Sequence, residues 1–141
     1  MKVLVDTDIL SEMQRARNEV LCRRAARHEL HHGPIAISAL TVFEGLQGWL
    51  RRGMSDRAER YLQWIADVEV LDFDLGCARL AGEIGGALVR AGRPIGVVDV
   101  GLAATAIQHG RVLVSGNTAH FGYVQEAGFD LKLENWRDES G

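Results

Sequence analysis

The feature that most constrains this chain is its opening, Val3-Leu4-Val5-Asp6-Thr7-Asp8-Ile9-Leu10. An apolar run without polar alternation suits a strand buried on both faces, as in a parallel sheet. The run ends abruptly in Asp-Thr-Asp, and helix-compatible residues follow at once. Thr7 or Asp8 is placed to cap that helix, which sets Asp6 at the carboxyl end of a strand. Open α/β sheets take their ligands at that edge. Asp6 is therefore either a helix-capping residue or a metal-binding or catalytic carboxylate, and this stretch by itself leaves both open.

The same strand-to-helix pattern recurs down the chain. Helices are expected from Ile9 to Arg17 and from Asn18 to His32, followed by a break at Gly33-Pro34. Ile35-Ala36-Ile37 reads as a short strand ending at Ser38, and a helix runs from Ala39 to Arg52 with Val42, Phe43, Leu46, Trp49 and Leu50 as its apolar stripe. Thr41-Val42-Phe43-Glu44 has the spacing of a capping box. Ser38 is the better N-cap after a strand, however, and that leaves Glu44 unexplained by capping. A helix from Ser55 to Ala66 and a strand from Val68 to Leu71 follow, and Asp72 or Asp74 caps a long helix ending at Ala91. Gly82, Gly85 and Gly86 inside it lower helix propensity, so close packing against a neighbour is the expected compensation.

From Val98 to Gln108 the residues are small and apolar almost all round, the mark of a buried helix. Asp99 in its first turn suits the helix dipole, yet if it points inward it needs a partner. Arg111 to Ser115 is a further strand, Gly116-Asn117-Thr118 is a strand-to-helix turn, and Phe121 is an apolar anchor beyond it. Taken alone, Asn117 reads as a turn or cap residue. The tail from Phe129 to Trp136 alternates like a half-solvated edge strand. With right-handed crossovers, this order gives an α/β protein: a three-layer α/β/α domain with a central, mainly parallel sheet, spanning residues 1–141.

Composition narrows the class. A chain of 141 residues, 47% hydrophobic and with a formal net charge of −3, fits one domain with a real core and not two. No apolar run approaches the ~20 residues that span a bilayer, and no signal pattern opens the chain. No membrane association and a cytoplasmic location are the expectation. Cys22 and Cys77 lack the spacing of a zinc site or a disulfide framework and read as core thiols. His28, His31 and His32 share one helix face but sit in a last turn, where the dipole favours imidazolium. Lys2 and Lys132 are the only lysines. Arginines gather at Arg15, Arg17, Arg23, Arg24 and Arg27, then at Arg51, Arg52, Arg57 and Arg60. Either group is a solvated helix face or a phosphate-contacting surface.

Asp6, Glu44, Asp99 and Asn117 share one property. Each falls just after a predicted strand or break, or in the helix that follows it, on what becomes one rim of the sheet. Three carboxylates gathered there repel one another unless a divalent cation neutralises them, and hard oxygen ligands select Mg²⁺ or Mn²⁺. Such a site points to phosphoryl chemistry, in which the ion polarises a phosphate and acidifies a water.

The chain resembles the PIN-domain ribonucleases, specifically the VapC-type toxins of bacterial toxin–antitoxin pairs. Val-Leu-Val-Asp6-Thr-Asp-Ile-Leu resembles the first motif of that family, Ile37-Ser38-Ala-Leu-Thr41-Val-Phe-Glu44-Gly-Leu the second, and Pro94-Ile95-Gly-Val-Val-Asp99-Val-Gly-Leu-Ala-Ala-Thr-Ala-Ile the third. Val114-Ser115-Gly-Asn117-Thr118-Ala-His-Phe121 and the closing Leu133-Glu-Asn-Trp136 extend the likeness over nearly the whole chain.

The resemblance implies a metal-dependent endoribonuclease that leaves a 3′-hydroxyl and a 5′-phosphate. Asp6, Glu44 and Asp99 would hold Mg²⁺ or Mn²⁺, with Asn117 at a fourth corner. It also implies an RNA substrate, a homodimer, and a cognate antitoxin covering an apolar groove near the first helices. Trp49, Tyr61 and Trp64 are candidates for that groove or for a dimer face, with core packing the expected use of each. Many PIN domains carry an acid at or just after the fourth corner. Here Asn117 is neutral and Ala119 and His120 follow, which implies a weaker second metal site, while Ser115 keeps the hydroxyl of the usual Thr. Phosphatases of the haloacid dehalogenase type and receiver domains also gather acids at strand ends, but both use a lysine near the reacting Asp, and the two lysines here lie at the extremes of the chain. A non-catalytic RNA-binding or antitoxin-sequestering PIN module with a vestigial site is the alternative from another class.

Overall fold

The computed structural model describes residues 1–137. Its elements, in chain order, are β1 (Val3–Val5), α1 (Thr7–Arg15), α2 (Glu19–His32), β2 (Ala36–Ser38), α3 (Ala39–Leu50), α4 (Ser55–Ile65), β3 (Glu69–Leu71), α5 (Leu75–Arg90), α6 (Val97–Gln108), β4 (Val112–Val114), α7 (Thr118–Glu126) and β5 (Leu133–Glu134). The strands form one five-stranded sheet in the order β3-β2-β1-β4-β5. Every pairing is parallel. The mainly parallel sheet expected from the unalternated apolar runs is therefore wholly parallel, and the alternating tail contributes β5 at its edge.

Residue parity along β1 divides the core in two. Val3 and Val5 face a cluster with Ile9, Leu10, Leu21, Ile37 and Tyr61, built by α1, α2 and α4. Leu4 faces the opposite cluster with Ile84, Leu88, Leu102, Leu113, Phe121 and Val124, built by α5, α6 and α7. Successive strand side chains point to opposite faces, so a strand covered on both sides must be apolar throughout. That covering gives the α/β/α layering. In α6, every residue from Val100 to Ala106 is buried, as its small apolar sequence requires.

Three local expectations change. A Cβ placed on Gly85 would stand 3.7 Å from Val100 Cγ1, but one on Gly82 or Gly86 would meet nothing within 4 Å. The Gly85 distance is ordinary van der Waals contact, so close packing accounts for none of the three, and Gly82 and Gly85 border a surface groove. His28 does not lie in solvent: it is buried, with its ring 4.7 Å from that of His32 and 5.6 Å from that of Trp136. Burial, and then the neighbouring His32, hold its pKa below the usual histidine value. Cys77 is buried as expected, whereas Cys22 is only half-buried, and both are free thiols. Among the described residues, no helix is long and apolar enough to cross a membrane.

Phe121 is fully buried beneath α6 and the sheet. Replacing it with alanine leaves a cavity that the surrounding layers cannot close, at a cost of about 3–5 kcal/mol. Urea unfolding of Phe121→Ala should give an unfolding free energy lower by that amount, read as a lower midpoint at an unchanged slope.

Candidate active site

The topology brings four elements to one edge. β1, β2 and β4 run parallel and lead into α1, α3 and α7 at their carboxyl ends. α6 runs back towards the start of β4, so its N-terminus, with Asp99, lies at the same edge. β2 and β4 flank β1, and the chain departs from β1 to one side and returns to the other. This is the switch point at which open parallel sheets form a ligand crevice.

Asp6 occupies the end of the central strand, 4% exposed. Its N–H donates to the Val114 carbonyl at 3.0 Å, which ties β1 to β4 at the crevice. Its Oδ1 accepts from the Ile9 N–H at 2.9 Å, so Asp6 is itself the N-cap of α1. This corrects the expectation that Thr7 or Asp8 takes that place: Asp6 has the extended backbone of a cap, with φ −77° and ψ 172°. The Ser115 hydroxyl also hydrogen-bonds to the Asp6 carboxylate.

Thr7, released from capping, reaches across to the second strand–helix unit. Its hydroxyl donates to Glu44 Oε1 at 2.6 Å and lies 3.4 Å from Thr41 Oγ1. Ser38 caps α3 by accepting from the Leu40 N–H at 3.0 Å. Glu44 is therefore not held by a capping box; Thr7 orients it into the crevice. Asn117 stands at the N-cap position of α7 without making a side-chain cap bond. Its N–H donates to Ser115 Oγ at 2.9 Å, and its Nδ2 lies 3.0 Å from His120 Nδ1.

The electrostatics record the crowding. Burial pushes the Asp6 carboxyl up to about 6; the bonds from Ser115 and Ile9 pull the other way, and the charges of Asp8 and Asp99 add to the rise. Asp99 also sits above the usual carboxylate range, first through burial and then through Glu44, with His120 opposing and Asp8 adding. Asp6, Asp8, Glu44 and Asp99 thus share one acidic crevice, and Asn117 joins it through Ser115 and His120. Among the described residues, no three acidic, imidazole or thiol groups already stand as a ready cluster around one point. The donor set fits a hard divalent cation, with carboxylate and amide oxygens and no soft ligand.

Residues beyond the four named from sequence border the crevice. Asp8 is exposed at its mouth, Thr7 fixes Glu44, and Arg137 Nη2 pairs with Glu12 Oε1 at 2.6 Å beside Gly116. Thr7 and Glu44 are separated by 37 positions, and no local pattern connects them.

A carboxyl with a folded-state pKa of about 6 against an ordinary 3.8 opposes folding once ionised. At low pH the group is protonated in both states and has no effect. Between the two values the folded state holds more protons than the unfolded one, so stability falls as pH rises. Above about 6 the full penalty applies, on the order of 3 kcal/mol at 1.36 kcal/mol per pKa unit. Asp6→Asn keeps an oxygen for the Ile9 cap and removes the charge. Without divalent cations it should be more stable than the parent by about 1–3 kcal/mol at neutral pH, a gain that closes as the buffer approaches pH 4. Urea titrations at the two pH values check the sign.

Comparisons with known proteins agree with this architecture. The family model described as PIN domain matches residues 3–125. The chain is 32% identical to the tRNA(fMet)-specific endonuclease VapC of Shigella flexneri over 78% of this chain and 81% of that protein. It is 30% identical to Ribonuclease VapC2 of Haemophilus influenzae over 96% of this chain and 98% of that protein. Among solved structures, it superposes on a chain of the DNA-bound VapBC structure from Salmonella typhimurium with a TM-score of 0.81 and 26% identity, covering 96% of this chain and 98% of that one. The chain therefore belongs to the PIN domain family and, within it, to the VapC-type toxins.

Proposed function

We propose that this protein is a divalent-metal-dependent endoribonuclease, the toxin of a toxin–antitoxin pair, that hydrolyses RNA phosphodiester bonds at the crevice above β1 and β4. The observation that carries the reading is the crowding of Asp6, Asp99 and Glu44 at one strand edge, with Asp6 and Asp99 both held above the usual carboxylate range. Such an arrangement is unfavourable by itself and becomes favourable when a cation occupies it. Asp6, Glu44 and Asp99, with Asn117, are the residues proposed to hold Mg²⁺ or Mn²⁺. A bound ion would supply charge neutralisation, polarisation of a phosphate oxygen and acidification of water.

The chain's own residues supply preorganisation. The Ile9 N–H and the Ser115 hydroxyl fix the Asp6 carboxylate, so its oxygens need not search for their orientation. Thr7 fixes Glu44. Asn117 and His120 form a hydrogen-bonded pair on the Asp99 side, where a leaving 3′-oxygen would need a proton donor or an acidified water. Hydrolysis breaks the bond from phosphorus to the 3′-oxygen and leaves a 5′-phosphate. The Shigella relative is named as specific for tRNA(fMet), which makes that tRNA the first substrate to assay.

Purified protein freed of any partner should cleave RNA with Mg²⁺ or Mn²⁺ and not after chelation, and Asp6→Asn or Asp99→Asn should lower the rate at least 100-fold while the circular dichroism spectrum is retained. Cleavage that survives in both variants removes the site assignment. RNA binding without cleavage by the parent protein favours the non-catalytic module.

Two surfaces support the proposed partners. Beside α1, a groove between α3 and α4 is lined by Arg15, Trp49, Arg52, Arg57, Arg60 and Trp64. Two guanidinium groups stand over the Trp49 ring, that of Arg52 at 4.6 Å and that of Arg57 at 5.3 Å from its centroid. It is more cationic than the apolar groove expected from sequence. An antitoxin segment that pairs aromatic or aliphatic anchors with carboxylates fits it. Tyr61 backs this groove from the core: it is buried, and its hydroxyl donates to the Thr41 carbonyl at 3.2 Å.

The second surface is an apolar groove over α5 and α6, lined by Phe43, Phe73, Val89 and Val97 and floored by Gly82 and Gly85. Phe43, Val89 and Val97 are 56%, 65% and 88% exposed. Exposed apolar residues gathered on one face mark an association surface, and a second copy of the chain is the proposed occupant. Light scattering should give about twice the 15.5 kDa chain mass for the parent, and the monomer mass for Val89→Arg.

A further inference from the structure

We propose that Arg137 binds a phosphate of the RNA backbone at the mouth of the acidic crevice and positions the strand for cleavage, an inference that rests on the nuclease reading above. The placement of the guanidinium carries it. A Cβ built on Gly116 would overlap the Arg137 guanidinium. Gly116 lies between Ser115, whose hydroxyl bonds to Asp6, and Asn117. The cation therefore rests on the strand end that supports two of the four candidate site residues. On its other side, Nη2 pairs with Glu12 Oε1 at 2.6 Å. Glu12 is four residues beyond Asp8 on α1, so the two share a helix face, and the guanidinium bridges from that face to the end of β4.

The group is held from below. The Arg137 N–H donates to Asn135 Oδ1 at 3.0 Å, and its carbonyl accepts from Asn18 Nδ2 at 3.4 Å. Trp136 before it is 4% exposed, and its indole N–H donates to Glu134 Oε1 at 3.1 Å. A cation on such a base gives up less freedom on meeting a ligand than one on a free stem. Its Nε is buried, but the side chain as a whole is 35% exposed, so the outer nitrogens of the fork can meet a phosphate while Glu12 holds Nη2.

Charge supplies the reason for a ligand. An RNA strand approaching Asp6, Asp8, Glu44 and Asp99 meets like charge on every side, and one fixed cation at the rim gives a phosphate a place to rest. Arginine suits that task through its planar fork of donors. Glu12, together with Asp6 and Asp8, favours the charged form of Arg137, so the cation persists across all working pH values.

The test uses the full chain and a fluorescein-labelled single-stranded RNA. Binding is read by anisotropy in EDTA and turnover in Mn²⁺. Arg137→Ala should weaken binding about tenfold and raise KM in step, with a smaller change in kcat, because a hydrogen bond to a charged group is lost. The slope of log affinity against log salt should fall by about 0.7, one phosphate contact on a single strand. Arg137→Lys should restore the salt slope but only part of the affinity. Glu12→Gln separates the two roles. If Arg137 only latches the tail to α1, Glu12→Gln reproduces the loss and the proposal fails. If it binds phosphate, Glu12→Gln binds RNA as tightly as the parent or more so. A parent that cleaves RNA while Arg137→Ala binds and turns over equally well overturns this inference alone. A parent that neither binds nor cleaves RNA overturns the nuclease reading and this inference with it.

Discussion

Asp6 places a carboxylate at the end of the innermost strand, where water scarcely reaches it. A buried acid is costly unless its oxygens are satisfied, and the surrounding structure is arranged to satisfy them. The Ile9 N–H caps one oxygen, the Ser115 hydroxyl bonds to the group, and the Asp6 N–H locks β1 to β4. These contacts start α1, align β4 and set the position of Asn117. The arrangement nevertheless leaves the acid strained, because Asp8 and Asp99 stand close enough to push its proton affinity further up. Capping and the proposed cation binding are therefore compatible roles for Asp6. The cap orients the carboxylate, and the crowding supplies the proposed site with a reason to take a cation.

The parallel sheet turns this local arrangement into a site. Because all five strands run one way, each crossover must return the chain to the opposite edge, and α1, α3 and α7 begin at the same rim. Asp6, Glu44 and Asn117 come from strand-to-helix units, whereas Asp99 comes from the start of a return helix that precedes its strand. Helix starts carry partial positive charge, which eases the gathering of acids there but cannot neutralise them all. Moving the first strand to a sheet edge would expose Asp6 to water and remove the crevice, so the central position of β1 is part of the proposed chemistry.

Much of this was legible in the sequence, for physical reasons. Unalternated Val-Leu-Val runs leave a strand no polar face, which forces covering layers on both sides. The small apolar run of α6 leaves Asp99 no ordinary solvent-facing place. What the sequence did not disclose were contacts made only by tertiary approach. Thr7 to Glu44 and Arg137 to Glu12 have no periodic signature, and Arg137 follows the buried Trp136 as one arginine among many. The cap of α1 is ambiguous in the sequence because Asp6, Thr7 and Asp8 are all good caps, and only the strand pairing at Val114 decides which backbone is extended. The glycines of α5 point the other way. A glycine in a helix suggests a close neighbour, yet Gly82 and Gly85 floor an open apolar groove and a Cβ on Gly86 would meet nothing within 4 Å.

The proposed role of the acidic crevice is that of a cation site organised by Asp6. Calorimetric titration of Mn²⁺ into the metal-free protein, in buffers of differing ionisation enthalpy, tests it directly. Near pH 6, binding should release a fraction of a proton from the Asp6 carboxyl, since its pKa is raised to about 6. Affinity should weaken as the pH drops below that value, and Asp6→Asn should abolish the proton release together with most of the binding. Mn²⁺ binding of equal affinity in parent and Asp6→Asn, with no proton released, would contradict it.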